Sequence, residues 1–250
     1  MTGTLTQSTT GTVTGTETGT AIGIGVGPGD PELMTLKGAR ILGAVPVVAY
    51  PAPETGDSLA RRIAAPHLPA GAQEIAIRMP LSSNRFPVEG VYDRAAQEIG
   101  THLSEGRDVA ILCEGDPFFY GSFMYLFARL AEDWPVEVVP GVSSLTACAA
   151  VSRRALAALN DVLTVLPATL PDDILRARLA NTDAAAIIKV GRHLPRIRAL
   201  LAELELSDRS EYIAHATMPE QSHGPLATLE DGNAPYFSMI LLHRRGAAWA

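Results

Sequence analysis

Ile22-Gly23-Ile24-Gly25-Val26-Gly27-Pro28-Gly29-Asp30 is the stretch on which the reading of this chain turns. A short apolar strand runs straight into a glycine-dense turn that ends in proline, glycine and aspartate. Glycine there allows a positive φ and a close approach of another group to the main chain. The pattern invites a dinucleotide loop, but G-x-G-x-x-G needs a third glycine three residues after the second. Counted from Gly25 and Gly27, that place holds Asp30; counted from Gly23 and Gly25, it holds Pro28. The nicotinamide fingerprint also requires an acidic residue about 20 positions on, closing the second strand. Here the second apolar run, Val45 to Tyr50, closes on Ala49-Tyr50-Pro51-Ala52. The loop serves something other than NAD.

Outward from this loop, short apolar runs alternate with helical patterns. Strands are expected over residues 21–26, 45–50, 74–77, 109–113 and 136–139. Helices are expected over 35–42 with Thr35 as N-cap, then 58–64, 91–105 and 122–131. Continuous apolar strands separated by helices are the pattern of a parallel sheet covered on both faces. After Pro140-Gly141 comes a helix from Ser143 to about Ala150, then strands over 162–166, 185–190, 212–216 and 237–242, with helices over 175–179 and 194–206. The last strand has no helix after it and is expected at an antiparallel edge. The fold class is α/β, with two α/β domains over residues 21–142 and 143–250 behind a tail of residues 1–20. One large sheet is the other arrangement these elements allow.

Composition narrows the function. The chain has 250 residues, 47% apolar and only 6% aromatic, so its cores are built from Ala, Val, Leu and Ile. The net charge of −7 disfavours nucleic acid or an anionic membrane as a partner held by overall charge, while leaving room for a local arginine-lined pocket. Cys113 and Cys148 cannot make a disulfide framework and read as reduced buried thiols. No apolar stretch reaches the ~18–20 residues that span a bilayer. The Thr/Gly tract over residues 1–20 lacks the basic and hydrophobic regions of a secretory signal and reads as disordered. Cytoplasm is therefore the expected compartment. The six histidines show no metal-ligand spacing, so no metal is expected. No G-x-S-x-G is present, which argues against a serine hydrolase.

Two more glycine-proline clusters lie at strand ends, where ligands of open α/β sheets bind. Cys113-Glu114-Gly115-Asp116-Pro117-Phe118-Phe119-Tyr120-Gly121-Ser122 joins a strand to a helix, and Val139-Pro140-Gly141-Val142-Ser143-Ser144 leads from a strand into a helix N-terminus. Free N–H groups at such a terminus receive a carboxylate or a ribose hydroxyl. Each cluster alone is compatible with a plain turn. In the order G-x-G-P-G-D, G-D-P-x-x-Y-G, P-G-V-S-S, the set resembles the tetrapyrrole methylases, and the resemblance covers about residues 21–245. In the second half, Ile187-Ile188-Lys189-Val190-Gly191-Arg192, Ala216-Thr217-Met218-Pro219-Glu220-Gln221 and Tyr236-Phe237-Ser238-Met239 look like the branch that methylates the C20 meso carbon of precorrin-2. Lys189 at its strand end and the insertion with Asn84-Arg85-Phe86-Pro87 point the same way. A sister branch that takes cobalt-factor II, and methylases of other ring carbons, diphthamide or RNA, remain as alternatives. The acidic balance weakens the RNA case.

The resemblance implies S-adenosylmethionine as cofactor, bound bent between the domains, precorrin-2 as substrate, and a homodimer. Carried over by motif, Gly115, Asp116, Phe119 and Tyr120 line one side of the cofactor, and Ser143 and Ser144 meet its adenosine or methionine part. Lys189, Val190, Ala216, Thr217, Met218, Ser238 and Met239 close the adenine side. Gly27, Pro28, Gly29 and Asp30 then face the substrate trough. Precorrin-2 carries eight carboxylates, so arginines are expected there, with Arg78 and Arg85 as first choices. Methylation at a meso carbon must be followed by loss of a proton, and Asp30, Glu114 and Asp116 are the candidate general bases.

Overall fold

The computed structural model describes residues 18–80, 86–230, 232, 234–246 and 248. Its first half runs β1 (Ala21–Gly25), α1 (Leu36–Leu42), β2 (Val47–Pro53), α2 (Leu59–Ala64), β3 (Gln73–Met79), α3 (Phe86–Ser104), β4 (Val109–Cys113), α4 (Phe123–Leu130) and β5 (Val136–Val139). The five strands form one sheet in the order β3-β2-β4-β1-β5, and every pairing is parallel. Alternate side chains of each strand feed two separate cores. Val47, Ala49, Val109, Ile111 and Cys113 pack with α3 and α4, whereas Val48, Tyr50, Ala110 and Leu112 pack with residues of α1 and α2. That double cover explains why β1, β2 and β4 are apolar without polar interruption, whereas the edge strands β3 and β5 carry Glu74, Arg78 and Glu137. Gly23 has its own reason: a Cβ there would lie 2.5 Å from the ring of Phe123, which is fully buried against the sheet.

The second half begins with α5 (Ser144–Ser152) and continues through β6 (Leu163–Pro167), α6 (Asp172–Ala180), β7 (Ala184–Ile188), α7 (Leu194–Glu203), β8 (Ser210–Ala214), β9 (Ser222–Pro225) and β10 (Ser238–His243). These strands make a second sheet, β6-β7-β10-β8-β9. Two sheets, not one, are therefore present. Helices α6 and α7 cover one face through Leu175, Leu179, Ile197 and Leu201, and α5 covers the other through Leu145, Cys148 and Ala149.

Side-chain caps set several boundaries. Thr35, Ser58 and Ser143 each accept a backbone N–H in the first turn of α1, α2 and α5, from Gly38, Arg61 and Leu145. Each cap is worth about 1 kcal/mol. Two expectations are corrected here. Strand β10 is not an edge: it pairs antiparallel with both β7 and β8, and all six of its residues are buried. The edges are β6 and β9, and β9, Ser-His-Gly-Pro, has no apolar period by which to be recognised. The tail is also shorter at its inner end. Gly19 donates to the Leu103 carbonyl (2.8 Å) and Thr20 to Asp108 Oδ1 (2.7 Å), which ties both to the first sheet. Residues 1–17 lie outside the described residues.

Candidate active site

The ends of the strands in both sheets open onto a cavity of about 780 Å³. Its first wall is built by the three glycine motifs, and they turn out to be packed on one another. A Cβ on Gly25 would lie 2.6 Å from the Gly115 carbonyl oxygen and 2.6 Å from Gly141 Cα; one on Gly141 would lie 2.0 Å from the same oxygen. Gly27 and Gly115 exchange backbone hydrogen bonds of 3.3 and 2.8 Å. Glycine is required because three loops share a space that leaves no room for side chains. Asp116 then locks the arrangement. Its Oδ1 accepts from the N–H groups of Phe118 (2.9 Å) and Phe119 (3.1 Å), and its Oδ2 accepts from Gly141 N–H (3.0 Å).

The second wall comes from the turns that follow β7 and β8 and precede β10. Lys189, His215 and Thr217 all take left-handed backbone conformations, with φ of 58°, 49° and 68°. Such conformations persist in non-glycine residues only where neighbours over-determine them. Here Ser238 Oγ donates to Pro235 O (2.7 Å) and accepts from Gly191 N–H (3.2 Å), while His215 N–H donates to Phe237 O (2.8 Å). Thr217 N–H donates to Gln221 Oε1 (2.8 Å).

The walls touch at two points. Asp30 N–H donates to Thr217 Oγ1 (3.1 Å) beside Gly29, where a Cβ would lie 2.5 Å from Met218 Cγ. Across the mouth, the Lys189 ammonium lies 5.4 Å from the centroid of the Tyr120 ring, and Tyr120 is itself left-handed at φ 56°.

Of the residues carried over by motif, Gly115, Asp116, Phe119, Tyr120, Ser143, Ser144, Lys189, Ala216, Met218, Ser238 and Met239 line the cavity, together with Pro28 and Glu114. Others have different work, and their expected placement is corrected. Gly27 and Gly29 pack against backbone and against the second wall, not a trough. Asp30 caps the turn after it, its Oδ1 accepting from Glu32 N–H (2.9 Å). Val190 is fully buried in the core beneath β7, because the left-handed turn at Lys189 sends the next side chain inward. Thr217 is the joint between the walls. Arg78 is exposed, donates to the carbonyls of Pro53 (3.0 Å) and Gly56 (3.2 Å), and is not among the residues that line the cavity. Arg85 lies outside the described residues.

Further lining residues were not among the expected site residues: Ala52, Pro53, Asp57, Met79, Tyr236 and Phe237. Tyr236 and Phe237 stand in the quoted Tyr236-Phe237-Ser238-Met239 stretch, but only Ser238 and Met239 were carried over from it. Ala52, Pro53 and Met79 close β2 and β3, and Asp57 lies in the loop after β2, with nothing in their spacing to mark them.

Electrostatics separate the three candidate carboxylates. Glu114 is half-buried on the cavity floor. Burial pushes its carboxyl above the ordinary glutamate value, opposed only by backbone N–H groups of its own residue and Ala60. Burial, and then the Glu114 charge, push the Tyr236 phenol up as well. Asp116 is committed to three amides, and Asp30 is outside the cavity. Burial holds the Cys113 thiol up, and that of Cys148 up to about 12, so neither is a ready nucleophile.

Comparison with known proteins agrees with this architecture. The sequence profile of the Tetrapyrrole (Corrin/Porphyrin) Methylases matches residues 20–230. A precorrin-2 C(20)-methyltransferase from Sinorhizobium sp is 39% identical over 223 residues, which cover 86% of this chain and 91% of that protein. A cobalt-precorrin-2 C(20)-methyltransferase from Salmonella typhimurium is 32% identical over 222 residues, 87% of this chain and 93% of that one. Among solved structures, a uroporphyrin-III C-methyltransferase from Thermus thermophilus, complexed with S-adenosylhomocysteine, superposes with a TM-score of 0.64 at 24% identity over 89% of this chain and 92% of its own. Three glycine loops interlocked at the mouth of a two-sheet cleft, together with this match over most of the chain, make it a member of the tetrapyrrole (corrin/porphyrin) methylases.

Proposed function

We propose that this protein transfers the methyl group of S-adenosylmethionine to the C20 meso carbon of precorrin-2, giving precorrin-3A in cobalamin biosynthesis. The observation that carries the reading is the 39% identity to a precorrin-2 C(20)-methyltransferase along nearly the whole of both chains. The lower identity to the cobalt-precorrin-2 enzyme, 32%, favours the metal-free ring. A fold neighbour that holds S-adenosylhomocysteine supports the choice of cofactor.

The cavity suits such a cofactor. It combines the N-terminus of α5 at Ser143 and Ser144 with the apolar flank of Ala216, Met218 and Met239 and the aromatic edge of Phe119. Those residues hold it in our reading, with Gly115 and Ser238 shaping the backbone around it. S-adenosylmethionine supplies an electrophilic methyl group when bound. The protein's share is to hold the ring carbon against that group and to exclude water, worth several kcal/mol of barrier.

After methylation the C20 carbon carries both a methyl group and a hydrogen. We assign Glu114 as the group that takes this proton: the C–H bond breaks, its electron pair restores ring conjugation, and the proton passes to a carboxylate oxygen. A raised carboxyl is a better proton acceptor than an ordinary one, and Glu114 makes no salt bridge among the described residues. The reading also places the reaction in the cytoplasm, in keeping with the free thiols Cys113 and Cys148, and makes the working form a homodimer.

The test is incubation of the full chain with S-adenosylmethionine and either precorrin-2 or cobalt-factor II. Mass spectrometry should find one added methyl with precorrin-2, and NMR should place it on C20. A methyl on another carbon, or turnover only with the cobalt ring, overturns the assignment; light scattering of the same sample reads the dimer.

A further inference from the structure

The cavity has a charge problem. Among the described residues that line it, Lys189 is the one cation, sharing the lining with Asp57, Glu114 and Asp116 in a chain of net charge −7. A macrocycle with eight carboxylates needs a positive partner there, and Arg78 is engaged on the carbonyls of Pro53 and Gly56 and does not line the cavity.

Lys189 is built for that role in three respects. Its ammonium makes no salt bridge among the described residues; its contact is the face of Tyr120 on the opposite wall, at 5.4 Å. A cation over a half-exposed ring is held weakly, and a carboxylate is the stronger partner. Its backbone is fixed at φ 58° by a turn that Ser238 clamps through Gly191 and Pro235. Glycine would sit in that turn without strain, so the side chain is presented at a conformational cost. Finally, Tyr120 is 47% exposed and offers a flat aromatic face once the ammonium leaves it.

We infer that Lys189 is the anchor for a peripheral carboxylate of the macrocycle, parked on Tyr120 until the substrate arrives, and that its departure frees the Tyr120 ring to lie against the macrocycle. This rests on the reading above that the substrate is a polycarboxylate tetrapyrrole. It moves Lys189 away from the adenine side, where the family pattern would put it. The chemistry favours the move. S-adenosylmethionine offers one carboxylate alongside a sulfonium and an ammonium, so a lysine gains less from it than from a ring edge bearing several carboxylates and no cation.

The test uses uroporphyrin, a stable octacarboxylate macrocycle, titrated by fluorescence quenching, with S-adenosylhomocysteine titrated by calorimetry on the same preparations. Lys189→Met should weaken uroporphyrin binding about tenfold and lose much of its salt dependence, while Lys189→Arg stays within about threefold of the parent. Affinity for S-adenosylhomocysteine should not change, and thermal melts of the variants check the fold. A loss confined to S-adenosylhomocysteine returns Lys189 to the cofactor side, and no change in either ligand makes it only a tether for Tyr120; each overturns the inference, as does a parent protein that binds no uroporphyrin. Binding of uroporphyrin without methylation of precorrin-2 defeats the C20 assignment alone and leaves Lys189 to be judged on the binding ratios.

Discussion

The two walls of the cleft solve one problem in opposite ways. Each must bring several loops to the ends of a sheet and hold them still. The first wall removes side chains, so that Gly25, Gly115 and Gly141 meet backbone to backbone and Asp116 ties the loops through three amides. The second keeps its side chains and forces the backbone instead, with Lys189, His215 and Thr217 left-handed and each bracketed by hydrogen bonds. A Gly-rich motif therefore need not be a ligand cradle. On the first wall Gly25 and Gly141 serve loop packing, and the cavity surface comes from Gly115 and the residues beside them. On the second wall, chemistry-bearing side chains are presented where glycine would be easier to place.

The comparison breaks most readily at Gly141. Gly141→Ala sets a Cβ 2.0 Å from the Gly115 carbonyl, which backbone cannot yield cheaply. A loss of about 3 kcal/mol or more is expected in denaturant unfolding. A loss under about 1 kcal/mol would mean that the loops are free to separate.

Next comes Glu114→Gln, which should lower kcat about 100-fold while leaving stability and S-adenosylhomocysteine affinity near the parent. With its carboxyl raised, the charged base is present only above the shifted pKa. The parent's kcat should thus rise with pH through an inflection above the ordinary 4.5, and the Gln variant should lack that limb. An unchanged pH profile removes Glu114 from the mechanism.

Asp116→Asn keeps the shape but withdraws the charge from three N–H donors. It should cost about 2 kcal/mol of stability and weaken S-adenosylhomocysteine in the same variant, because the loops it ties form the first wall. Weakened binding with full stability would make Asp116 a ligand contact instead of a tie.

The smallest effect separates strain at the cleft from strain elsewhere. Leu159 is left-handed at φ 50° and 104% exposed, far from the cavity lining. Leu159→Gly should add up to about 1 kcal/mol of stability without altering turnover. Thr217→Gly relieves similar strain but loses the hydroxyl that accepts from Asp30, and it should lower turnover. Equal behaviour of the two would argue that the second wall's strain is incidental.

Much of the fold was legible because it is local. An unbroken apolar run marked β4, and a run broken only by Glu137 marked β5, both to the residue, while Thr35 announced α1 by a hydroxyl one residue before the first turn. Strand β9 escaped because Ser222-His223-Gly224-Pro225 is held by its neighbour β8 and not by its own pattern. The central place of β10 was invisible for a related reason: strand order is set by pairing across long separations, and a buried run looks the same at any interior position. The site divides along the same line. Motif residues such as Gly115 and Ser143 announced a strand-end site, whereas Met79, at the end of β3, and Asp57, in the loop after β2, reach the cavity only because the sheet brings them to it.

The sequence by itself determined the family, the α/β class with its two sets of elements, and the strand ends at which the cavity opens, because residue type and spacing act over a few residues of chain. Only the tertiary structure decided what each motif residue does. Gly27, Gly29 and Asp30 form a joint, since they meet Gly115, Met218 and Thr217 from distant parts of the chain, and only Pro28 of that turn lines the cavity. Glu114 stands apart from Asp30 and Asp116 because burial, a property of the assembled cleft, outweighs its backbone hydrogen bonds and raises its carboxyl, whereas the other two carboxylates cap turns and tie loops.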